Sequence, residues 1–250
     1  MDFLKRHIFL ILLITLSVTF FARNNCRNVT RIAPEVLEEP IQRAVKNPLP
    51  IFFSRNDYAY EVIPLYEYEI SGLIVSKINY KAFSIEKFNR VFPIDLCLIW
   101  GENVKSGVYR NPALRFSQDC RWCNVQYLSS DIKFDFNKIS NNHLLVKEPV
   151  LERKLRSLAV GDQVKLIGKL VNIKATLKGE AGTYDASSYS WNTSVIRTDS
   201  GAGACEVIYV EKIEILRKAN VIVRVLFLIS LYGLLGMLLW KILFFFNIIK

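Results

Sequence analysis

Uncharged apolar runs occupy the two ends of the chain, and alternating patterns fill most of the middle. Ile8 to Ala22 (IFLILLITLSVTFFA) carries no charge and follows Lys5, Arg6 and His7. Its 15 residues make a helix of about 22 Å, short of the ~30 Å hydrocarbon core of a bilayer. That length and the basic start also fit a secretory signal, but Phe20 is too bulky for a small-residue cleavage site ending at Ala22. The expectation for residues 1–22 is an anchor that stays in place, with a removed signal as the alternative. At the other end, Val225 to Trp240 is uncharged, and with Val221 to Val223 and a snorkelling Arg224 the stretch reaches 20 residues. A soluble helix needs a polar face, and this stretch offers only Ser230 and Tyr232. Residues 219–250 therefore read as a C-terminal transmembrane helix, with a second apolar run after Lys241. Gly233 and Gly236 do not form a GxxxG dimer motif.

Between the anchors the pattern changes twice. Residues 23–64 hold five of the eight prolines and read as a connector, with a short amphipathic helix around Glu35 to Val45. From Tyr66 the alternation is that of strands. Tyr66, Tyr68, Ile70, Ile74 and Ile78 share one parity, and Gly72 marks a bulge or bend. Asp95 to Trp100 (DLCLIW) predicts a buried strand. Glu148 to Ala159 predicts a helix that starts at Pro149 and stops before Gly161. Gln163 to Ile173 and Cys205 to Leu216 predict two more strands, and the polar stretch Lys174 to Asn192 a loop or irregular hairpin. Residues 65–218 thus form a β domain.

Partitioning the charge changes the meaning of the formal +10. Residues 23–219 carry +6 and the ends +4. No run of Lys or Arg exceeds two, so charge alone describes a mixed solvated surface rather than a nucleic-acid stripe. Two anchors make the chain a hairpin with both termini on one side. Arg23, Arg27, Arg31, Arg217 and Lys218 flank the domain side, which slightly opposes an exported domain. The signal-like start favours export.

The stretches YEISGLIVSKI (68–78), LRSLAVGDQVKLIGKLV (155–171) and VIYVEKIEIL (207–216) resemble the OB-fold. That resemblance implies a mainly β (α+β) domain, an OB-like Greek-key barrel with one internal helix, flanked here by membrane helices. PIDLCLIWGENVKSGVYR, SNNHLLV and RTDSGAGACEVIYVE are similar to an uncharacterised family of bacterial membrane-associated proteins. This implies a bacterial inner-membrane setting and no known activity. OB-folds commonly bind oligonucleotides, oligosaccharides or proteins, and the fold does not choose among them.

The candidate chemistry is sparse. Cys120-Arg-Trp-Cys123 is a C-x-x-C without the surrounding βαβ pattern of a thioredoxin site, so a structural disulfide or core cysteines are preferred over redox sensitivity or metal. Zinc would need further ligands such as His143 and Cys205, and no second C-x-x-C is present. Cys26 lacks a lipidation motif. His143, after Asn141 and Asn142, has no carboxylate or nucleophile nearby in sequence, so a turn is preferred to catalysis. The Gly-rich loop from Arg197 to Cys205 has neither the Lys nor the helix of a P-loop, but Arg197 and Asp199 could line a binding rim. Trp100, Tyr109, Arg110, Arg115, Trp122 and Trp191 interleave aromatic and cationic groups, which could stack bases or sugars or simply pack. The candidate binding set is therefore Trp100, Tyr109, Arg110, Asn142, His143, Arg197 and Asp199. Cys120 and Cys123 form the redox or disulfide candidate, and no catalytic set, metal site or cofactor is assigned.

The expected function is a membrane-anchored, periplasm-facing binding or assembly module without catalysis. Its partners are the lipid bilayer and another membrane or envelope protein, with oligosaccharide or nucleic acid as further ligand classes. Two alternatives stay open. One is an envelope redox factor or hydrolase using Cys120 with Cys123, or His143 with Cys205. The other is a cytoplasm-facing nucleic-acid binder.

Overall fold

Two long strands, β3 (Tyr58–Asn79, 22 residues) and β8 (Gln163–Leu177, 15 residues), form the spine of the protein. The computed structural model describes residues 2–55, 58–80, 91–119, 122–177, 188–196, 198–199 and 205–245. β3 pairs antiparallel with β4 (Ile94–Ile99), and β4 with β7 (Ile139–Leu145). β7 runs parallel to β10 (Glu206–Arg217), which lies antiparallel to β8, and β8 returns to β3. The five strands close a ring. Two short strands, β1 (Ile41–Ala44) and β2 (Ile51–Arg55), add to β3, and β9 (Ser188–Trp191) adds to β8. β5 (Leu114–Asp119) and β6 (Trp122–Tyr127) form a separate hairpin.

Alternation along the strands sends one parity into the ring. Ile70, Ile74, Leu96, Leu98, Leu144, Leu166, Ile208 and Ile213 fill it. Beyond the one-turn helix α2 (Glu102–Lys105), helix α3 (Pro149–Ser157) lies between β7 and β8 in sequence and adds Leu155, with Leu158 behind it. Its C-terminal carbonyls are capped by the Lys77 ammonium, which donates to the Leu155, Arg156 and Leu158 oxygens. A second apolar cluster covers the outer face of β3 and β4 and includes Cys26, Val36, Cys97, Ile99 and Tyr109. A third surrounds the far ends of β3 and β8 and includes Tyr58, Phe92, Leu145 and Val207.

Several expectations change here. The amphipathic helix around Glu35 to Val45 is instead a 3-10 turn, Pro34–Leu37, followed by β1. Pro40 removes a donor where a helix would need one, and the edge of β3 offers β1 a pairing. β2 and the start of β3 also lie within the stretch read as a connector. The bulges fall at Leu65 and Val75, while Gly72 stays in register with Val164. Pro64 cannot donate to the ladder, and the freed Leu65 carbonyl accepts from the Val45 N–H. Gly168 is fixed by a crossing: a Cβ there would collide with the Tyr209 carbonyl of β10.

Two terminal helices, α1 (Asp2–Ala22) and α4 (Val221–Phe245), are long and apolar enough to span a membrane. At 21 and 25 residues they reach about 31 and 37 Å. They pack antiparallel. Lys5 lies over the Trp240 ring at one end, Leu12 fills the space beside Gly233, and the Arg23 guanidinium sits 3.6 Å from the Phe227 ring centroid at the other. Arg224 does not snorkel outward. It turns back to the domain and pairs at 2.8 Å with Asp162, a fully buried carboxylate that also accepts from the Ala159 and Ala219 N–H groups. Arg224 further donates to the Val160 and Arg23 carbonyls, and Asn220 to the Arg23 and Asn25 carbonyls. Gly161, at φ +93°, makes room for Ala219 at this junction.

Candidate functional site

The run Ile94 to Trp100 contains one charged residue, Asp95, and buries it to 1% exposure. A carboxylate taken out of water needs a partner. Register supplies it: Asp95 stands directly opposite His143 across the β4–β7 pair, so both side chains leave the same, outer face. His143 Nδ1 lies 2.8 Å from Asp95 Oδ2, and the Tyr80 hydroxyl donates to the same oxygen at 2.8 Å. Phe92 stacks on the imidazole, with centroids 5.1 Å apart, and Trp191 meets Phe92 edge-on.

Cys205 precedes β10, whose parallel pairing with β7 places Val207 beside His143. The half-buried Cys205 thiol hydrogen-bonds to His143 and receives the Asn141 amide at 3.6 Å. Asn141 in turn accepts from the Gln118 amide on the β5–β6 hairpin. The Ser194 N–H binds the Cys205 carbonyl, which fixes the start of β10. Burial disfavours the imidazolium, but Asp95 and then Cys205 outweigh it and raise the His143 pKa to about 9. The cluster is a thiol, an imidazole, a carboxylate and a phenol in sequence.

Cys97, two residues beyond Asp95 on the same outer face, forms a disulfide with Cys123 of β6. The hairpin is thereby stapled over the outer face of β4. Cys123 is thus bonded to Cys97 and not to Cys120, which lies outside the described residues. Cys26 is a buried free thiol whose pKa is pushed by burial, against the opposing charge of Arg27, to about 11.

Comparison with family models, with curated proteins and with solved structures finds no match. Function has to be read from the side chains themselves.

The candidate binding residues do not form one surface. Trp100 is buried in the ring and donates to Glu39. Tyr109 is buried under the N-terminal segment and donates to the Val29 carbonyl. Arg110 is exposed and packs against the Tyr109 ring. Asn142 points into the ring and bonds Ser140 and the Leu96 carbonyl. Asp199 is exposed and accepts from Ser194. Arg197 and residues 200–204 of the Gly-rich loop lie outside the described residues, as do residues 178–187 of the polar stretch. Arg115 and Trp122 are exposed on the hairpin, and Trp191 packs on Phe92. Among the described residues no group of three or more His, Cys, Asp and Glu is placed to hold a metal.

Sequence reasoning missed Asp95, Tyr80 and Cys97. Asp95 did leave a signal, a lone carboxylate in an apolar strand. Nothing in the sequence joined it to His143, because that contact depends on register across 48 residues.

Proposed function

We propose that the chain is a two-helix membrane protein whose OB-like domain faces an oxidising compartment, the periplasm in a bacterial inner membrane, and serves there as a binding or assembly module. The Cys97–Cys123 disulfide carries this reading, because disulfides persist outside the reducing cytosol. Two of the five basic residues that argue for the opposite side have structural roles. Arg23 stacks on Phe20 and Phe227, and Arg27 donates to the Pro112 and Leu114 carbonyls. The OB-like assignment is supported by the ring order β3-β4-β7-β10-β8, its parallel β7–β10 pair and the helix between β7 and β8. Exposed Tyr127, Leu128 and Phe136 beside the hairpin give another envelope protein an apolar surface to dock on. An alkaline phosphatase reporter inserted between residues 182 and 183 tests the orientation. Activity there is the expected result. An inactive phosphatase, with a fluorescent cytosolic reporter at the same position, overturns the reading.

A second reading has its own observation. In the Cys205–His143–Asp95 arrangement the sulfur faces an imidazole that Asp95 keeps protonated up to about pH 9, and this cation can stabilise negative charge developing on the sulfur. This supports a thiol-dependent hydrolase or transferase. In a Cys26→Ser, Cys120→Ser background, iodoacetamide should alkylate Cys205 at a rate set by His143 ionisation. A rate unchanged by His143→Ala removes this reading.

A further inference from the structure

We propose that the collar where the domain meets its helices holds the phosphate of an anionic phospholipid. The inference rests on the reading that α1 and α4 span a bilayer. A cleft of about 430 Å³ opens between residues 28–31 and residues 217–220, immediately before α4. Arg31, Arg217 and Lys218 line it, are exposed, and take part in none of the ion pairs among the described residues. A second cleft of about 420 Å³ lies beside the end of α1 and is lined by Arg27 and Arg115 with Phe21.

Hydrogen bonds frame both walls of the first cleft. The buried Gln163 side chain accepts from the Ala33 N–H and donates to the Arg31 carbonyl, both at 2.7 Å. Asn220 and Arg224 tie the other wall to the end of α1. The three cations line the cleft at the level where the helices leave the domain, which on the two-helix membrane reading is the headgroup level of the leaflet. Cations at that depth attract anionic headgroups, each contributing several-fold in affinity. A phosphodiester offers oxygens to two guanidinium groups and an ammonium, and its acyl chains extend along α1 and α4.

The test uses the full chain, purified in neutral detergent, and fluorescent phosphatidylglycerol read by anisotropy. Unlabelled phosphatidylglycerol should displace the probe, whereas phosphatidylcholine and millimolar inorganic phosphate should not. Arg31→Gln, Arg217→Gln and Lys218→Gln together should weaken binding roughly a hundred-fold. The same number of charges removed at Arg43, Lys46 and Lys174, away from the helices, should leave it within about two-fold of wild type. Equal displacement by inorganic phosphate makes the cleft a small-anion site and overturns the proposal, as does a collar variant that binds like wild type. Flotation with vesicles of phosphatidylcholine alone separates the two readings. A chain that floats but shows no phosphatidylglycerol preference loses the cleft and keeps the membrane assignment. A chain that does not float loses both.

Discussion

β4 and β7 present two faces that are equally dry and chemically unlike. Toward the interior of the ring stand Ile94, Leu96, Leu98 and Leu144, packed with Leu155 and Leu158 from α3 and the turn after it. Toward the outside stand Asp95, Cys97 and His143, covered by Phe92 and the β5–β6 hairpin. The inner face is held by volume, and a hydrophobic side chain of similar size can replace another at small cost. The outer face is held by pairing. Removing one member there strands a charge or polar atom that burial has already cut off from water. The same short strand carries both because its side chains alternate sides.

Acidity separates the two faces most sharply. Asp95→Asn should cost about 3–5 kcal/mol at neutral pH, because it leaves the His143 imidazole buried without its carboxylate. Leu96→Ala, one residue away on the inner face, should cost about 2–5 kcal/mol. Urea unfolding of the full chain in detergent distinguishes them. The Leu96→Ala deficit should be the same at about pH 6 and about pH 10, while the Asp95→Asn deficit should shrink at the higher pH as the wild-type imidazolium discharges. If both deficits are flat with pH, the outer face is not held by an ion pair and the contrast fails.

The staple is next in size. Cys97 and Cys123 close a loop with a sequence separation of 26, for which chain entropy gives about 3.5 kcal/mol. Cys97→Ser should lose about that much. Reduced wild type should lose the same amount, and reduction of Cys97→Ser should change nothing more. A wild-type protein indifferent to reductant would show the hairpin to be held by the apolar packing of Phe116 and Phe134 against the outer cluster alone.

The His143 titration can also be followed in the wild-type chain. Its folded pKa of about 9 is above the usual value of 6.5. The folded state therefore binds the proton more tightly, and the stabilisation is fully present below pH 6.5. It falls as pH rises through the interval up to about 9, by about 3 kcal/mol in total. His143→Gln should flatten the stability curve over that interval. A wild-type curve already flat there would mean that the imidazole is neutral when folded.

How far these features were legible follows from their range in the chain. The strands at 94–99 and 206–217, β8 as far as Ile173, and helix α3 showed in local periodicity, as did both terminal helices, whereas the last residues of β8 fell in the stretch read as a loop or irregular hairpin. Local pattern carried them because each element's own burial produced it. The long extension of β3 back to Tyr58 was masked by Pro64, which reads as a breaker but sits at a bulge. The site was harder. His143 and Cys205 were visible as residues, yet their meeting needs the parallel β7–β10 register, and the Asp95 contact needs the antiparallel β4–β7 register. The Cys120-x-x-Cys123 spacing pointed to the near partner, whereas the stapled partner, Cys97, is reached only once the hairpin folds back on β4.

The smallest effects belong to the aromatic and cationic groups that the sequence suggested as one stacking array. Trp122 and Arg110 are exposed, on the solvent side of the hairpin and its approach. Trp122→Ala and Arg110→Ala should each change stability by less than about 0.5 kcal/mol. The hairpin then has the same two-faced character as β4, with the stapled side fixed by Cys97 and the solvent side free to vary. A Trp122→Ala loss well above that size would mean that the hairpin's outer side is packed as well. It would move the boundary between the paired layer and the solvent out past β6, and the exposed apolar groups Tyr127, Leu128 and Phe136 would belong to the fold rather than to a docking surface.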